Sequence, residues 1–194
     1  MEMEYKDGET PLDPDELEGL KHVHIETRGE LNQLEQQNIQ DGLNWLSKQR
    51  KHKDYLNETF LLDFHKHLFG DVWAWAGSYR HTDKNIGVDH LYIGVELRNL
   101  LDDTRYWVEN NIFSREELAA RFHHRLVMIH LFPNGNGRHA RVMTDIVLER
   151  VLNAEPINWG SDLDTEGQHR EKYISALRAA DLGDYQQIIE FVSN

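Results

Sequence analysis

The sequence contains no cysteine, and no run of 18 apolar residues occurs anywhere in its 194 residues. The first absence excludes disulfides and metal sites built on thiolates. The second leaves no candidate for a transmembrane helix. The first 14 residues are acidic and lack the apolar stretch of a signal peptide. We therefore expect a cytoplasmic protein that has no membrane partner.

Positive charge is also scarce, because 21 lysines and arginines face 34 acidic residues and the formal net charge is −13. A non-specific nucleic-acid binder needs a basic face that neutralises phosphates, so we expect no direct contact with nucleic acid. A small positive site can still lie within an acidic body. No internal repeat is visible.

Residues 1–30 are predicted to form an N-terminal arm and a helix, and residues 31–194 one compact helical unit. The first helix should begin near Pro14, after Asp13 or Thr10 as its cap. Apolar residues at helical spacing predict further helices over 31–48, 60–69, 95–110, 171–182 and 185–192.

Two shorter features lie between these helices. Asn57 or Thr59 could cap the helix over 60–69, and Gly70 could end it. The aromatic run over 71–80 is predicted to be core, because large rings are usually buried. The short runs over 79–93 alternate with turn residues, which favours a small hairpin or an extended loop.

The most informative stretch is His-Leu-Phe-Pro-Asn-Gly-Asn-Gly-Arg-His-Ala-Arg, over residues 130–141. Ser114 and Glu117 read as a capping box, so a helix should run from there to His130. Pro133 ends that helix, and residues 134–137 form a turn by composition. A second helix should follow at once.

Such a turn is well suited to bind an anion. Glycine and asparagine tolerate positive φ, which lets several backbone N–H groups converge. The N-terminus of the next helix adds its dipole, and Arg138 and Arg141 add two positive charges three residues apart. Phosphate is the natural ligand. The stretch is not a Walker loop, since no Lys-Ser/Thr follows the last glycine.

These residues strongly resemble the signature of the Fic (Fic/Doc) family, His-x-Phe-x-(Asp/Glu)-Gly-Asn-Gly-Arg-x-x-Arg. The matching residues are His130, Phe132, Gly135, Asn136, Gly137, Arg138 and Arg141. Nearly the whole chain, from Thr10-Pro-Leu-Asp-Pro-Asp-Glu16 to Ala176-Leu-Arg-Ala-Ala-Asp181, looks like the subgroup called mobile mystery protein B. The resemblance implies an all-α, Fic-type helical bundle with a small β-hairpin flap.

The same resemblance implies a protein adenylyltransferase, which moves AMP from ATP to a Ser, Thr or Tyr hydroxyl of a target protein. His130 would be the general base, because imidazole is largely neutral at cytoplasmic pH. Phe132 and residues 134–138 with Arg141 would bind the nucleotide, and Mg²⁺ would be the cofactor. The flap would meet the target through Tyr79, Lys84, Ile86, Gly87 and Val88, although Tyr79 could equally be packed and Lys84 solvated.

Two positions raise specific questions. Asn134 stands where most family members carry the acid that holds Mg²⁺, and an amide oxygen contributes no negative charge. Glu18, in Pro14-Asp-Glu-Leu-Glu-Gly19, partly fits the pattern of the family's inhibitory glutamate. In an acid-rich helix, an ordinary surface residue is the favoured interpretation of Glu18.

Two other functions remain open from the sequence. A Doc-like phosphotransferase would give the γ-phosphate instead, but such proteins usually carry lysine at the position of Gly137. Alternatively, because of Asn134, the chain could be a catalytically weak nucleotide-binding module of the toxin–antitoxin kind, whose partner is a small DNA-binding protein. A zinc site is not favoured, because His-Glu-x-x-His is absent.

Overall fold

The computed structural model describes residues 10–22, 24–50, 53–160, 163 and 167–193, and helices account for all the regular structure within them. The first nine residues of the predicted arm lie outside the described residues. The helices are α1 (Pro14–Leu17), α2 (Arg28–Ser47), α3 (Glu58–Phe69), α4 (Ile93–Glu109), α5 (Arg115–Ile129), α6 (Asn136–Ile146), α7 (Gln168–Asp181) and α8 (Gln186–Val192). The predicted all-α class is confirmed.

Three helices begin directly after a polar residue that the sequence analysis proposed as their N-cap. Asp13, rather than Thr10, precedes α1. Asn57 is the N-cap of α3, and its side chain accepts the amide of Phe60 at 2.9 Å. Ser114 caps α5 in the same way. Each side chain stands at the terminus where backbone N–H groups lack a partner within the helix.

Helix α5 is the central element, because it packs against α4, α6 and α8. The main core lies among α2 to α6, and a second apolar cluster lies beneath α7 and α8. Val127 of α5 packs against both clusters. The helix that delivers His130 is therefore held on several sides. Among the described residues, no helix is both long and apolar enough to cross a membrane.

The aromatic run over 71–80 is largely core, as predicted. Trp73 is 1% exposed. Its segment pairs with the residues after α1 through two backbone bonds, from Lys21 to the Val72 carbonyl at 2.9 Å and from Ala74 to the Gly19 carbonyl at 2.8 Å. These bonds tie the N-terminal region to the main core.

The structure does not show the predicted hairpin over 79–93. Residues 79–89 run as a loop without a strand, and a 3₁₀ turn over His90–Tyr92 leads into α4. The Arg80 guanidinium donates to the carbonyls of Thr82 and Val88. In a hairpin, such carbonyls accept backbone amides of the facing strand. Here a buried side chain has replaced the strand partner.

Candidate active site

His130 lies at the junction between α5 and the turn that follows. It has left-handed backbone angles, φ 55° and ψ 67°, and its amide still donates to the Leu126 carbonyl at the end of α5. A side-chain-bearing residue seldom adopts this conformation, which is costly and is often retained where geometry matters. The chain reverses here, and the imidazole is held in the interior with 4% exposure.

The surroundings of His130 favour its neutral form. Burial, which is the largest cause, and the positive charges of Arg80 and Lys84 together lower the pKa of His130 to about 3. Nδ1 is buried and has no hydrogen-bond partner among the described residues. The imidazole is thus available as a neutral acceptor, as a general base must be.

The turn after His130 is closed by its own side chains. Asn136 accepts the Phe132 amide at 2.9 Å and donates to the Phe132 carbonyl at 2.7 Å. Gly135 adopts φ 79° as the N-cap of α6. Beneath the turn, His65 stacks on Phe132 and donates from Nε2 to the Asn134 carbonyl at 3.1 Å. These contacts fix the turn before any ligand binds.

The turn opens directly onto the N-terminus of α6, as predicted. Amides in the first turn of a helix lack intrahelical partners and favour anions. Arg138 and Arg141 follow on this helix and, with Gln36 and Val142, help to line a cavity of ≈ 210 Å³. A larger cavity of ≈ 680 Å³ lies between α7 and α8, at residues that do not belong to this site. The two arginines therefore place positive charge on the helix that begins at the turn, as an anion site requires.

Glu35 of α2 forms an ion pair with Arg138. Its Oε2 lies 2.7 Å from Arg138, and its Oε1 accepts the Trp73 indole N–H at 2.7 Å. The Arg138 guanidinium also lies over the Phe69 ring, 4.8 Å from its centroid. Glu35 is 5% exposed, so its carboxylate is shielded from water, whereas the Arg138 side chain is 24% exposed. Any phosphate that binds Arg138 must compete with this carboxylate.

The Asn134 side chain joins three parts of the site. Its Oδ1 accepts the Gly135 amide at 2.7 Å and Arg138 at 3.3 Å, and its Nδ2 donates to the Thr10 carbonyl at 3.5 Å. A resident Mg²⁺ would have only this neutral oxygen from the turn, and two donors already use it. Hard cations prefer carboxylates, phosphates and water. These residues do not fit a protein-held Mg²⁺.

The loop over 79–89 covers His130. A Cβ added at Gly87, whose φ is 108°, would come within 2.7 Å of the His130 Cβ. Arg80 secures the loop by donating from Nε to the His130 carbonyl at 2.6 Å. The loop over 79–89 and His130 are thus in direct contact. Among the other predicted flap residues, Ile86 is 40% exposed, and Val88 bonds to Arg80 through its carbonyl.

Two of the predicted flap residues, Tyr79 and Lys84, bond to acidic side chains of the protein itself. Tyr79 donates to Glu58 at 2.8 Å, and burial followed by this bond raises the pKa of its phenol. Lys84 is neither solvated nor turned towards the α6 turn. Its Nζ lies 2.7 Å from Asp13 and 2.5 Å from Glu16, and its side chain is 3% exposed.

The N-terminal segment completes the site. Thr10 is buried, and its Oγ1 lies 3.1 Å from Nε2 of His130. This places a hydroxyl against the predicted base. Glu18, by contrast, ends α1 as an exposed residue, and the carboxylate that meets a motif arginine is Glu35.

Sequence reasoning did not identify Glu35, Arg80 or Thr10 as site residues. A signal existed for Glu35, because it lies on the buried face of α2, four residues after Leu31 and three before Asn38. A carboxylate on such a face needs a partner. For Thr10 and Arg80 the contacts are long-range, and no local pattern predicts them.

A family model described as "Fic/DOC family" matches residues 55–148. The chain is 27% identical over 146 residues to "Protein adenylyltransferase Fic" of Aedes aegypti, an alignment that covers 73% of this chain and 28% of that protein. The chain thus spans less than a third of the length of this relative.

Solved structures share the fold. The N-terminal FIC domain of the Bep8 protein from Bartonella sp. 1-1C superposes with a TM-score of 0.71 at 18% identity, covering 90% of this chain and 88% of that one. The BepC protein of Bartonella tribocorum, solved with bound AMPPNP, gives a TM-score of 0.63 at 19% identity, and 87% of each chain is covered.

Proposed function

Because the chain belongs to the Fic/DOC family, we propose that it transfers AMP from ATP to a hydroxyl of a target protein, with His130 as general base. The observation that carries the proposal is the position of His130. A buried neutral imidazole lies beside a helix N-terminus that also bears Arg138 and Arg141. The Aedes aegypti relative is named an adenylyltransferase, and BepC was solved with a nucleotide analogue, which supports the same chemistry.

The reaction begins when Nε2 of His130 takes the proton of the target hydroxyl, whose oxygen attacks the α-phosphorus of ATP. The bond from that phosphorus to the oxygen bridging the β-phosphate breaks, and pyrophosphate leaves. The first amides of α6 face the α-phosphate, where negative charge develops. Arg138 and Arg141 bind the outer phosphates through charge-assisted hydrogen bonds. Mg²⁺ enters as part of the MgATP substrate.

The pKa of His130, about 3 without nucleotide, makes the imidazole a weak base. The phosphate charges of ATP oppose the effects of Arg80 and Lys84 and raise this pKa when the substrate binds. His130 is therefore a stronger base in the complex with ATP than in the free protein. The phosphates must also displace Glu35 from Arg138.

The test is transfer from ATP labelled at the α- or the γ-phosphate, in parallel, with a bacterial lysate as the source of targets. We expect label from α-labelled ATP alone, reduced about a hundredfold or more in His130→Ala, as expected for loss of a general base. His130→Gly is a second variant, since glycine tolerates the left-handed conformation. His24→Ala, at an exposed histidine, is the control.

Equal labelling by wild type and both His130 variants would contradict the proposal. Label from γ-labelled ATP alone would identify a Doc-like phosphotransferase. Tight ATP binding without transfer would favour the binding module, for which a small DNA-binding partner stays a prediction.

A further inference from the structure

The segment Thr10–Asp13 lies in the candidate active site as a bound peptide would. The Thr10 hydroxyl is 3.1 Å from Nε2 of His130, and its carbonyl accepts from Asn134 at 3.5 Å. Leu12 is buried in the main core. The hydroxyl therefore occupies the position from which a general base removes a proton.

The acidic residue three positions later anchors the segment to the covering loop. Asp13 accepts from Lys84 and from Thr82, each at 2.7 Å. Lys84 also donates to the Pro11 carbonyl at 3.5 Å. The hydrogen bond that Asp13 accepts from Lys84 has the largest effect on the pKa of the Asp13 carboxyl, and it lowers this pKa together with the bond from Thr82. This anchor holds the hydroxyl close to His130.

Helix capping does not explain the Thr10 hydroxyl, because Asp13 is the N-cap of α1. Packing alone does not require it either, since valine would fill nearly the same volume. A buried hydroxyl needs a hydrogen-bond partner. Among the described residues, the partner of the Thr10 hydroxyl is the proposed base, His130.

We propose that Thr10 is an acceptor of AMP in the chain's own active site. This inference rests on the proposed function. The Thr10 oxygen attacks the α-phosphorus of ATP while its proton passes to Nε2 of His130. The bond to the leaving pyrophosphate breaks, and the product is an AMP phosphodiester on Thr10. The proton is then released to solvent.

The test uses the purified chain with MgATP labelled at the α-phosphate and no other protein, followed by mass spectrometry of its peptides. We expect one AMP group on Thr10. The half-time should not change when the protein is diluted a hundredfold, because the acceptor belongs to the same molecule. Transfer between molecules would instead slow on dilution and would overturn the proposal.

Thr10→Val should abolish the label and Thr10→Ser should retain it, which separates loss of the hydroxyl from loss of the fold. Thr59→Val is the matched control, at an exposed threonine of α3. Asp13→Asn should slow labelling about tenfold, because a hydrogen bond to a charged partner is weakened. Asn is also a good N-cap, so α1 is preserved. Asp15→Asn, at an exposed residue, should have no effect.

Undiminished label in Thr10→Val would overturn the inference. Labelling of lysate proteins that depends on His130, without label on Thr10, would overturn it and leave the proposed function standing. If neither the chain nor the lysate is labelled, both fail.

Discussion

At the scale of single residues, the pairing of Glu35 with Arg138 is the contact with which the proposed substrate, ATP, would compete. Both oxygens of the carboxylate are engaged, one by Arg138 and one by Trp73. Removing one member of a buried pair costs more than the pair contributes, since the other charge stays buried. A phosphate can relieve this cost for Arg138, but Glu35 is then left with Trp73 alone.

We expect Glu35→Gln to bind ATP about tenfold more tightly, because the competing charge is lost while an oxygen remains for Trp73. Isothermal titration with MgATP measures this difference. Glu18→Gln is the matched control and should leave the Kd unchanged. If Glu18→Gln tightened binding and Glu35→Gln did not, Glu18 would be the inhibitory residue, as the sequence suggested.

Asn134→Asp should make ATP binding depend on Mg²⁺. The new carboxylate can ligate a hard cation, and we expect the Kd in the presence of Mg²⁺ to fall about tenfold, while ATP without metal binds no better. Titrations with and without Mg²⁺ test this expectation. Asn44→Asp, at an exposed position of α2, controls for the added charge. An equal change in both titrations would show that the effect does not come from the metal.

At the scale of elements, the turn between α5 and α6 combines two left-handed residues, His130 and Gly135, within six positions. The neighbouring Gly137 lies inside α6 and differs from Gly135 in what surrounds it. A Cβ at Gly135 would come within 2.7 Å of the Phe69 ring, whereas nothing lies within 4 Å of a Cβ at Gly137. The two glycines therefore serve different purposes.

We expect Gly135→Ala to lower the free energy of unfolding by about 2 kcal/mol, because it combines a left-handed backbone with a steric clash. Gly137→Ala should raise it by up to about 1 kcal/mol through helix propensity. Yet Gly137→Ala should weaken ATP binding, because its methyl group would narrow the approach to the first amides of α6. Urea denaturation and titration together measure both effects. Equal loss of stability in the two variants would contradict this division.

Much of this element could be predicted from local sequence. The cap at Ser114, the stop at Pro133 and the turn before α6 each depend on residues within a few positions. For the region over 79–93, the sequence left a hairpin and an extended loop open. The structure shows a loop, because Arg80 takes carbonyls that a hairpin would use for its own amides. The face of α2 on which Glu35 lies could have marked it as a residue that needs a partner, but that partner, Arg138, could not be predicted because it lies 103 positions away.

At the scale of the whole molecule, four of the buried imidazoles have lowered pKa values and make the fold less stable in acid. Burial lowers the pKa of His123, His130 and His139 to about 3, and that of His65 well below its usual value. In the unfolded chain each group titrates near 6.5. Below this pH the unfolded state binds protons that the folded state does not, so stability falls as pH falls from 6.5 towards 3.

We expect the free energy of unfolding to drop on the order of 1 kcal/mol per pH unit for each of these groups. Urea midpoints at pH 7.5 and 5.5 measure the loss. His139→Gln should reduce the dependence on pH by about a quarter, whereas His81→Gln, at an exposed position, should not. Equal stability at the two pH values would mean that the buried imidazoles are protonated in the folded chain.

The guanidinium of Arg80 reaches the carbonyls of His130, Thr82 and Val88 through three different nitrogens. Two of these acceptors, Thr82 and Val88, belong to the loop itself and fix its shape. Displacing the loop would deprive a buried cation of the third acceptor, the His130 carbonyl. The loop above His130 is therefore preformed, and we expect it to stay in place when a ligand binds. We expect a target of the proposed reaction to reach the imidazole along the path now occupied by Thr10–Asp13, which favours extended chain ends and exposed loops over folded surfaces.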